Sequence, residues 1–338
     1  VVFKKGIKTL TKNKPEIGSF FLFRFLFLVC FVCLQQKAFS QVYPPIIIHS
    51  DIDRFWIAFD QLQNAKSSQD TLDILQQLYF DKGSVGLKKF AKAKDINSQS
   101  LALQIRKAPE FWKSIRPNTY LVKNYNDEIS DQIELYRETL RRFKNPYICF
   151  AIGALGAGGT VYDGWLLIGA EMVTTDSLTN IFQLTDWHRA VLPKSNKILE
   201  FTAHELVHTQ QRFGLGYLLS YFRNKLLTMT IVEGAADFVS EKITGLNINE
   251  SIYPYGYENE KELWQAFSSE MYGNDISNWL YNGNKSKERP ADLGYFIGYR
   301  ICEAYYNQAE NKEKALNKIV KTNNYRRLLK KSGYAGGV

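Results

Sequence analysis

Apolar residues recur at helical spacing over residues 51–62, where Ile52, Phe55, Trp56, Phe59 and Leu62 share one face. The same period returns over residues 71–80, 101–105 and 128–143, so residues 41–145 read as a helical N-terminal region. Asn145-Pro146 is a turn signal, and beyond it the pattern changes. Residues 147–155 and 165–170 read as two strands joined by a turn through Gly156, Gly158 and Gly159. Helical spacing then resumes. One helix is predicted over 195–211, with Ser195 as its N-cap and a stop near Gly214. A second is predicted over 226–244, closed by Gly245, and a third over 291–306. The last residues, 330–338, are expected to fray. The predicted fold is α+β and mostly helical, with the small sheet and the later helices in a region spanning 146–338. Residues 41–338 are long enough to form either two adjoining regions or one compact unit.

Composition supports a folded body, with 45% hydrophobic and 14% aromatic residues. The formal net charge of +9 raises the question of nucleic acid, but its location answers it. Residues 1–40 carry Lys4, Lys5, Lys8, Lys12, Lys14, Arg24 and Lys37 against Glu16 alone, so most of the excess lies there. No basic stripe with interleaved aromatics follows, and nucleic-acid binding is not expected. The front segment instead has the layout of a signal peptide, with basic residues up to Arg24 and an apolar run over 25–34 too short to span a bilayer. A polar stretch to Ser40 completes it. Cleavage after Ser40 would give an exported chain with no stable membrane span. Val29 before Cys30 and Val32 before Cys33 fit a lipid-attachment site poorly, since that site wants a small residue there. Cys149 and Cys302 could form a disulfide after export or remain buried thiols.

Four histidines occur in the chain, and two of them lie in His204-Glu205-Leu206-Val207-His208. Positions i and i+4 share a helix face, so both imidazoles can reach one metal ion while Glu205 stands beside them. Neutral imidazoles suit zinc. A third ligand is available on the next predicted helix, in Glu233-Gly234-Ala235-Ala236-Asp237. Its small residues allow two helices to approach closely and bring Glu233 to the metal. Asp237, one turn along, could accept the outer N–H of a ligating histidine and fix its tautomer. One zinc ion per chain is therefore expected on His204, His208 and Glu233.

H-E-L-V-H followed by E-G-A-A-D resembles the gluzincin metallopeptidases, and also a group of predicted bacterial zinc-dependent proteases catalogued as a domain of unknown function. Tyr295, in Gly294-Tyr295-Phe296-Ile297-Gly298, is similar to the tyrosine that those enzymes present to the tetrahedral intermediate. The resemblance implies a zincin-like fold and an exported zinc peptidase acting on a peptide or protein. Glu205 would be the general base and Tyr295 or another tyrosine, such as Tyr299, the oxyanion donor. Glu205→Gln would then keep zinc and abolish turnover. The strand over 165–170 could offer its edge to the peptide. The G-x-M-E-N exopeptidase motif is missing, and Glu171 occupies only a loosely similar place. His188 could face the cleft, and His49 belongs to no motif. Two alternatives compete: an exported binding or assembly protein that has inherited the fold without turnover, and an amide hydrolase that is not a peptidase.

Overall fold

Four short strands form the sheet, in the order β1, β2, β4, β3. They are β1 (Ile47–Ile48), β2 (Tyr147–Ala151), β3 (Gly159–Tyr162) and β4 (Trp165–Gly169). In this computed structural model, which describes residues 45–283 and 289–337, β1 and β2 run parallel, as do β2 and β4. β3 pairs antiparallel with β4, with Tyr162 opposite Trp165. β4 is buried at every position, as a strand covered on both faces must be.

The expected hairpin between residues 147–155 and 165–170 is not formed. Those two segments lie side by side in parallel, and the hairpin is β3–β4 instead. Its turn is Asp163-Gly164, both with positive φ (49° and 77°), the conformation a two-residue hairpin turn requires and an Asp-Gly pair adopts readily. Gly158 precedes β3 and Gly159 begins it, so both lie outside the turn. The strands at the two ends of the sheet are thus β1 and β3 and not residues 165–170, so the edge beyond β4 that could accept an added strand belongs to β3.

Helices fill the rest: α1 (Ser50–Gln61), α2 (Ser68–Leu75), α3 (Val85–Lys94), α4 (Ser98–Lys107), α5 (Pro109–Thr119) and α6 (Asn126–Thr139) precede β2. The parallel pairing of β1 with β2 needs a long connection, and these helices supply it. Phe55 of α1 packs with Trp56, Tyr79 and Trp112, and the Trp56 indole donates to Thr119 Oγ1 at 2.9 Å. After β4 come α7 (Ala170–Val173), α8 (Asp186–Val191), α9 (Ile198–Gln210), α10 (Leu215–Arg223) and α11 (Lys225–Thr244). The last are α12 (Tyr253–Glu258), α13 (Glu260–Glu270), α14 (Leu293–Gln308), α15 (Lys312–Val320) and α16 (Tyr325–Ser332).

α11 is buried along most of its length, which suits a helix apolar on nearly all sides, and Gly245 closes it in the left-handed conformation at φ 75°. The start of α9 differs from expectation, because Asn196 Oδ1 accepts the Ile198 N–H at 3.0 Å and Ser195 caps nothing. One hydrophobic core runs from Ile52 to Tyr334, and residues Pro45–Val338 form a single compact unit. The C-terminal stretch expected to fray is packed in its first part: Tyr334 is buried, its hydroxyl donates to Glu260 at 2.8 Å, and its ring abuts Trp264. Cys149 and Cys302 are both free and buried, and burial pushes both thiols up. The signal segment, with Cys30 and Cys33, lies outside the described residues. Among the described residues, no helix is long and apolar enough to cross a membrane.

Candidate metal centre

α9 is held from the N-terminal helices by two side chains of α6. Tyr136 donates to the Ala203 carbonyl at 2.7 Å and Gln132 to the Leu199 carbonyl at 3.1 Å. This fixes the helix on which His204, Glu205 and His208 stand. α11 meets α14 where Gly234 and Gly298 oppose each other. A Cβ on Gly298 would lie 1.9 Å from the Thr230 carbonyl oxygen, and one on Gly234 2.1 Å from the Gly298 carbonyl carbon. Only glycine allows this approach. Glu233 immediately precedes one glycine and Tyr295 lies one turn before the other, so the crossing sets the depth of both.

His204 Nε2 and His208 Nε2 are 3.0 Å apart, and Glu233 Oε2 lies 3.4 Å from the first and 3.2 Å from the second. Donors about 2.0–2.1 Å from one tetrahedral ion sit roughly 3.3 Å from each other, so the set has the spacing zinc requires. The outer nitrogens fix the tautomers. Gln211 donates its amide to the Val232 carbonyl at 2.8 Å, which turns its oxygen toward His208 Nδ1 at 2.8 Å. His208 must therefore donate from Nδ1. Asp237 Oδ1 likewise takes the Nδ1–H of His204 at 2.7 Å, and Asp237 is itself held by Asn249 and Tyr253.

Two lone pairs and a carboxylate oxygen consequently face one another in a buried place, and they need a shared proton or a cation between them. The electrostatics express the same demand. Burial disfavours charge on His204, yet its bonds to Asp237 and Glu233 outweigh burial and carry its pKa up to about 10. Burial opposes the charge on Glu233 too, but the two imidazoles hold its carboxyl well below the usual range. The donor set and its spacing fit a zinc ion.

The three residues and Glu205 open on a cleft of about 1100 Å³. Its walls come from β3 and the loop before it, α9, α11 and the segment leading into α14, while the N-terminal helices contribute Lys94 alone. The cleft therefore lies almost wholly within the later part of the chain. Gly159 of β3 leaves room for Glu205, since a Cβ there would sit 2.5 Å from Glu205 Oε1. Tyr295 is partly buried, with its ring 6.1 Å from that of His204. Tyr281 is the tyrosine that touches the set, donating to Glu233 Oε1 at 2.7 Å. Tyr299 faces Glu241 instead, at 2.8 Å.

Sequence reasoning missed Gln211, Asn249 and Tyr281. Gln211 could have been found three residues after His208, where helical geometry allows contact. The other two come from loops, and nothing in their spacing marks them.

Glu171 and His188 do not line the cleft, but they hold the loop that does. Glu171 is fully buried and accepts the N–H groups of Gly153 at 2.9 Å and Leu155 at 2.8 Å. His188 Nε2 donates to the Leu155 carbonyl at 3.2 Å, its Nδ1 meets the Thr185 hydroxyl at 2.6 Å, and burial lowers its pKa. Burial pushes the Glu171 carboxyl up to about 7, against the pull of those two N–H groups. A raised acid contributes stability that is present below the unfolded value near 4.5 and lost as pH rises through about 7. The stability difference between the wild type and Glu171→Gln, which cannot ionise, should therefore move against the wild type by about 3 kcal/mol across that window. Urea denaturation at both ends of it measures the change, and a constant difference would refute the assignment.

The class defined by these observations is an α+β protein with a buried His-His-Glu set at the floor of a cleft. Residues 217–336, about a third of the chain, match the family model of gliding motility protein GldB, whose label marks a lipoprotein family. No curated protein and no solved structure matches the chain. The match corrects the expected membership of a zinc peptidase family, and with it the reading as a peptidase, since the matched family is one of gliding motility. The matched segment carries Glu233, Asp237, Tyr281 and Tyr295; His204, Glu205 and His208 precede it. The lipoprotein label agrees with an exported protein.

Proposed function

We propose that this protein is an exported binding and assembly protein of a gliding-motility apparatus, and that it grips a partner through its metal-bearing cleft without turning it over. The observation that carries the reading is the match of residues 217–336 to gliding motility protein GldB. One zinc ion would be held by His204, His208 and Glu233, with Asp237 and Gln211 fixing the imidazoles. When bound, it supplies a Lewis-acidic point that a carboxylate or carbonyl of the partner can occupy. β3 is one of the two end strands of the sheet among the described residues, and it borders the cleft through Gly159, Thr160 and Val161. Its free edge suits an extended segment, which adds as a further strand.

One contact favours holding over chemistry: the hydroxyl nearest the ligand set, that of Tyr281, is committed to Glu233. The zincin-like relationship of the α9 helix and β3 belongs to this proposal as the frame that an assembly function has kept.

The test is complementation of a non-gliding strain that lacks the gene. Glu205→Gln is expected to restore gliding as the wild type does, because binding needs no general base. His208→Ala, which breaks the ligand set, is expected to fail although the protein is exported in normal amount. If Glu205→Gln retained zinc but failed to restore gliding, the cleft would be performing chemistry and this reading would fall.

A further inference from the structure

α10 carries its apolar stripe on the wrong side for a surface helix. Leu215 and Phe222 are 73% and 72% exposed, and Leu218 and Leu219 nearly half. Their spacing places all four on one face, directed away from the protein. The opposite face makes the contacts: Ser220 bonds Thr228 at 2.8 Å, the Tyr217 ring meets that of Tyr325, and Gly216 abuts Asn323. A helix of a globular protein buries its apolar side, so this one is built to meet a second apolar medium.

Charge indicates which medium. Arg212 precedes the helix, and its charge, with that of Lys144, adds to burial in lowering the pKa of Lys321. At the other end stand Arg223 and Lys225, and Arg326 donates to Asn224 at the helix C-cap. Arg327, Lys330 and Lys331 follow on the exposed face of α16. No Asp or Glu occurs between residues 209 and 232, and Glu313 is the only one after residue 311. Asp275 follows Asn274, which accepts the Lys225 N–H beyond the end of the helix, but the cations outnumber it there. A single helix with leucines and a phenylalanine outward and cations at both ends suits a flat anionic surface better than the closed groove of a protein partner.

We propose that α10 docks this protein onto an anionic phospholipid bilayer, with the stripe from Leu215 to Phe222 lying at the boundary of headgroups and acyl chains. Arg212, Arg223 and Arg326 then face lipid phosphates. Nine residues give a helix about 13 Å long, so the attachment is reversible and additional to any anchor elsewhere in the chain. Phe213 and Tyr217 also line the cleft, so docking sets the mouth of the cleft beside the bilayer. The proposal does not depend on the metal.

Sedimentation of the compact unit Pro45–Val338 with phosphatidylcholine vesicles containing about a quarter phosphatidylglycerol tests this. The wild type is expected to partition onto these vesicles and much less onto pure phosphatidylcholine. A Leu218→Asp/Phe222→Asp variant alters only exposed side chains, so its circular dichroism should be unchanged while its partitioning falls about tenfold or more. Equal partitioning of the two proteins would overturn the proposal. So would a wild-type dimer that the variant dissolves, which would assign the stripe to a second copy of the chain.

Discussion

A Gly298→Ala variant is expected not to reach the native state. The added methyl would lie 1.9 Å from the Thr230 carbonyl oxygen, and the nearest atoms are all backbone, which no side-chain rotation can relieve. α11 and α14 would have to separate along the most extensive helix contact in the molecule, opening gaps on both sides of the crossing. Overpacking a core typically costs 1–3 kcal/mol where side chains can yield, so about 4 kcal/mol or more is expected here, a large part of the stability of an ordinary domain. Thermal melting followed by circular dichroism, with soluble yield beside it, measures the loss. A variant that melts at the wild-type temperature would mean that the helices do not cross at these two glycines. Gly234→Ala should behave alike, whereas Gly214→Ala should be tolerated, since a Cβ there meets nothing within 4 Å.

Glu233→Ala should lower zinc affinity by about a thousandfold or more while leaving the chain folded. The carboxylate closes the ligand triangle and also balances the two imidazoles, so its removal leaves two neutral nitrogens 3.0 Å apart with nothing to complete the set. Asp237→Asn should cost less, about ten- to a hundredfold, because it disturbs the orientation of His204 and not a ligand. Competition against a chromogenic chelator gives both constants, and metal analysis gives the stoichiometry, expected at one zinc per chain. Equal zinc in the wild type and Glu233→Ala would show that the metal, if bound, sits elsewhere.

The parts of this molecule that were legible in its sequence are those whose geometry is local. His204 and His208 face the same way because one helix carries both, and Glu233 and Asp237 share a face for the same reason. The small residues after Glu233 do mark a close helix crossing, but the helix met at Gly234 is α14, through Gly298 more than sixty residues on, and not α9, so what brings the two pairs together left no local sign. The sheet was misread because parallel pairing leaves no local mark, while the Asp163-Gly164 turn, which does, was overlooked beside a richer run of glycines. α10 escaped notice for a different reason. Apolar spacing reveals a helix and its stripe but carries no sign for inward or outward, and the cations that frame the stripe are gathered from residues 212, 223 and 326. The assignment to a peptidase family failed at another level: a ligand motif reports what a site can hold, not what the protein was kept for.

The backbone of Leu155 is gripped at both ends, its N–H by Glu171 and its carbonyl by His188. A wall pinned in this way cannot adjust to its visitor. On the proposed binding role, the cleft beside β3 would select by fit from the outset, and the ordering entropy of an encounter would fall on the incoming segment. Affinity should then respond chiefly to stiffening of the partner: a cyclised or proline-bearing version of a bound peptide would gain, while loosening its flanks would forfeit the advantage of a rigid host.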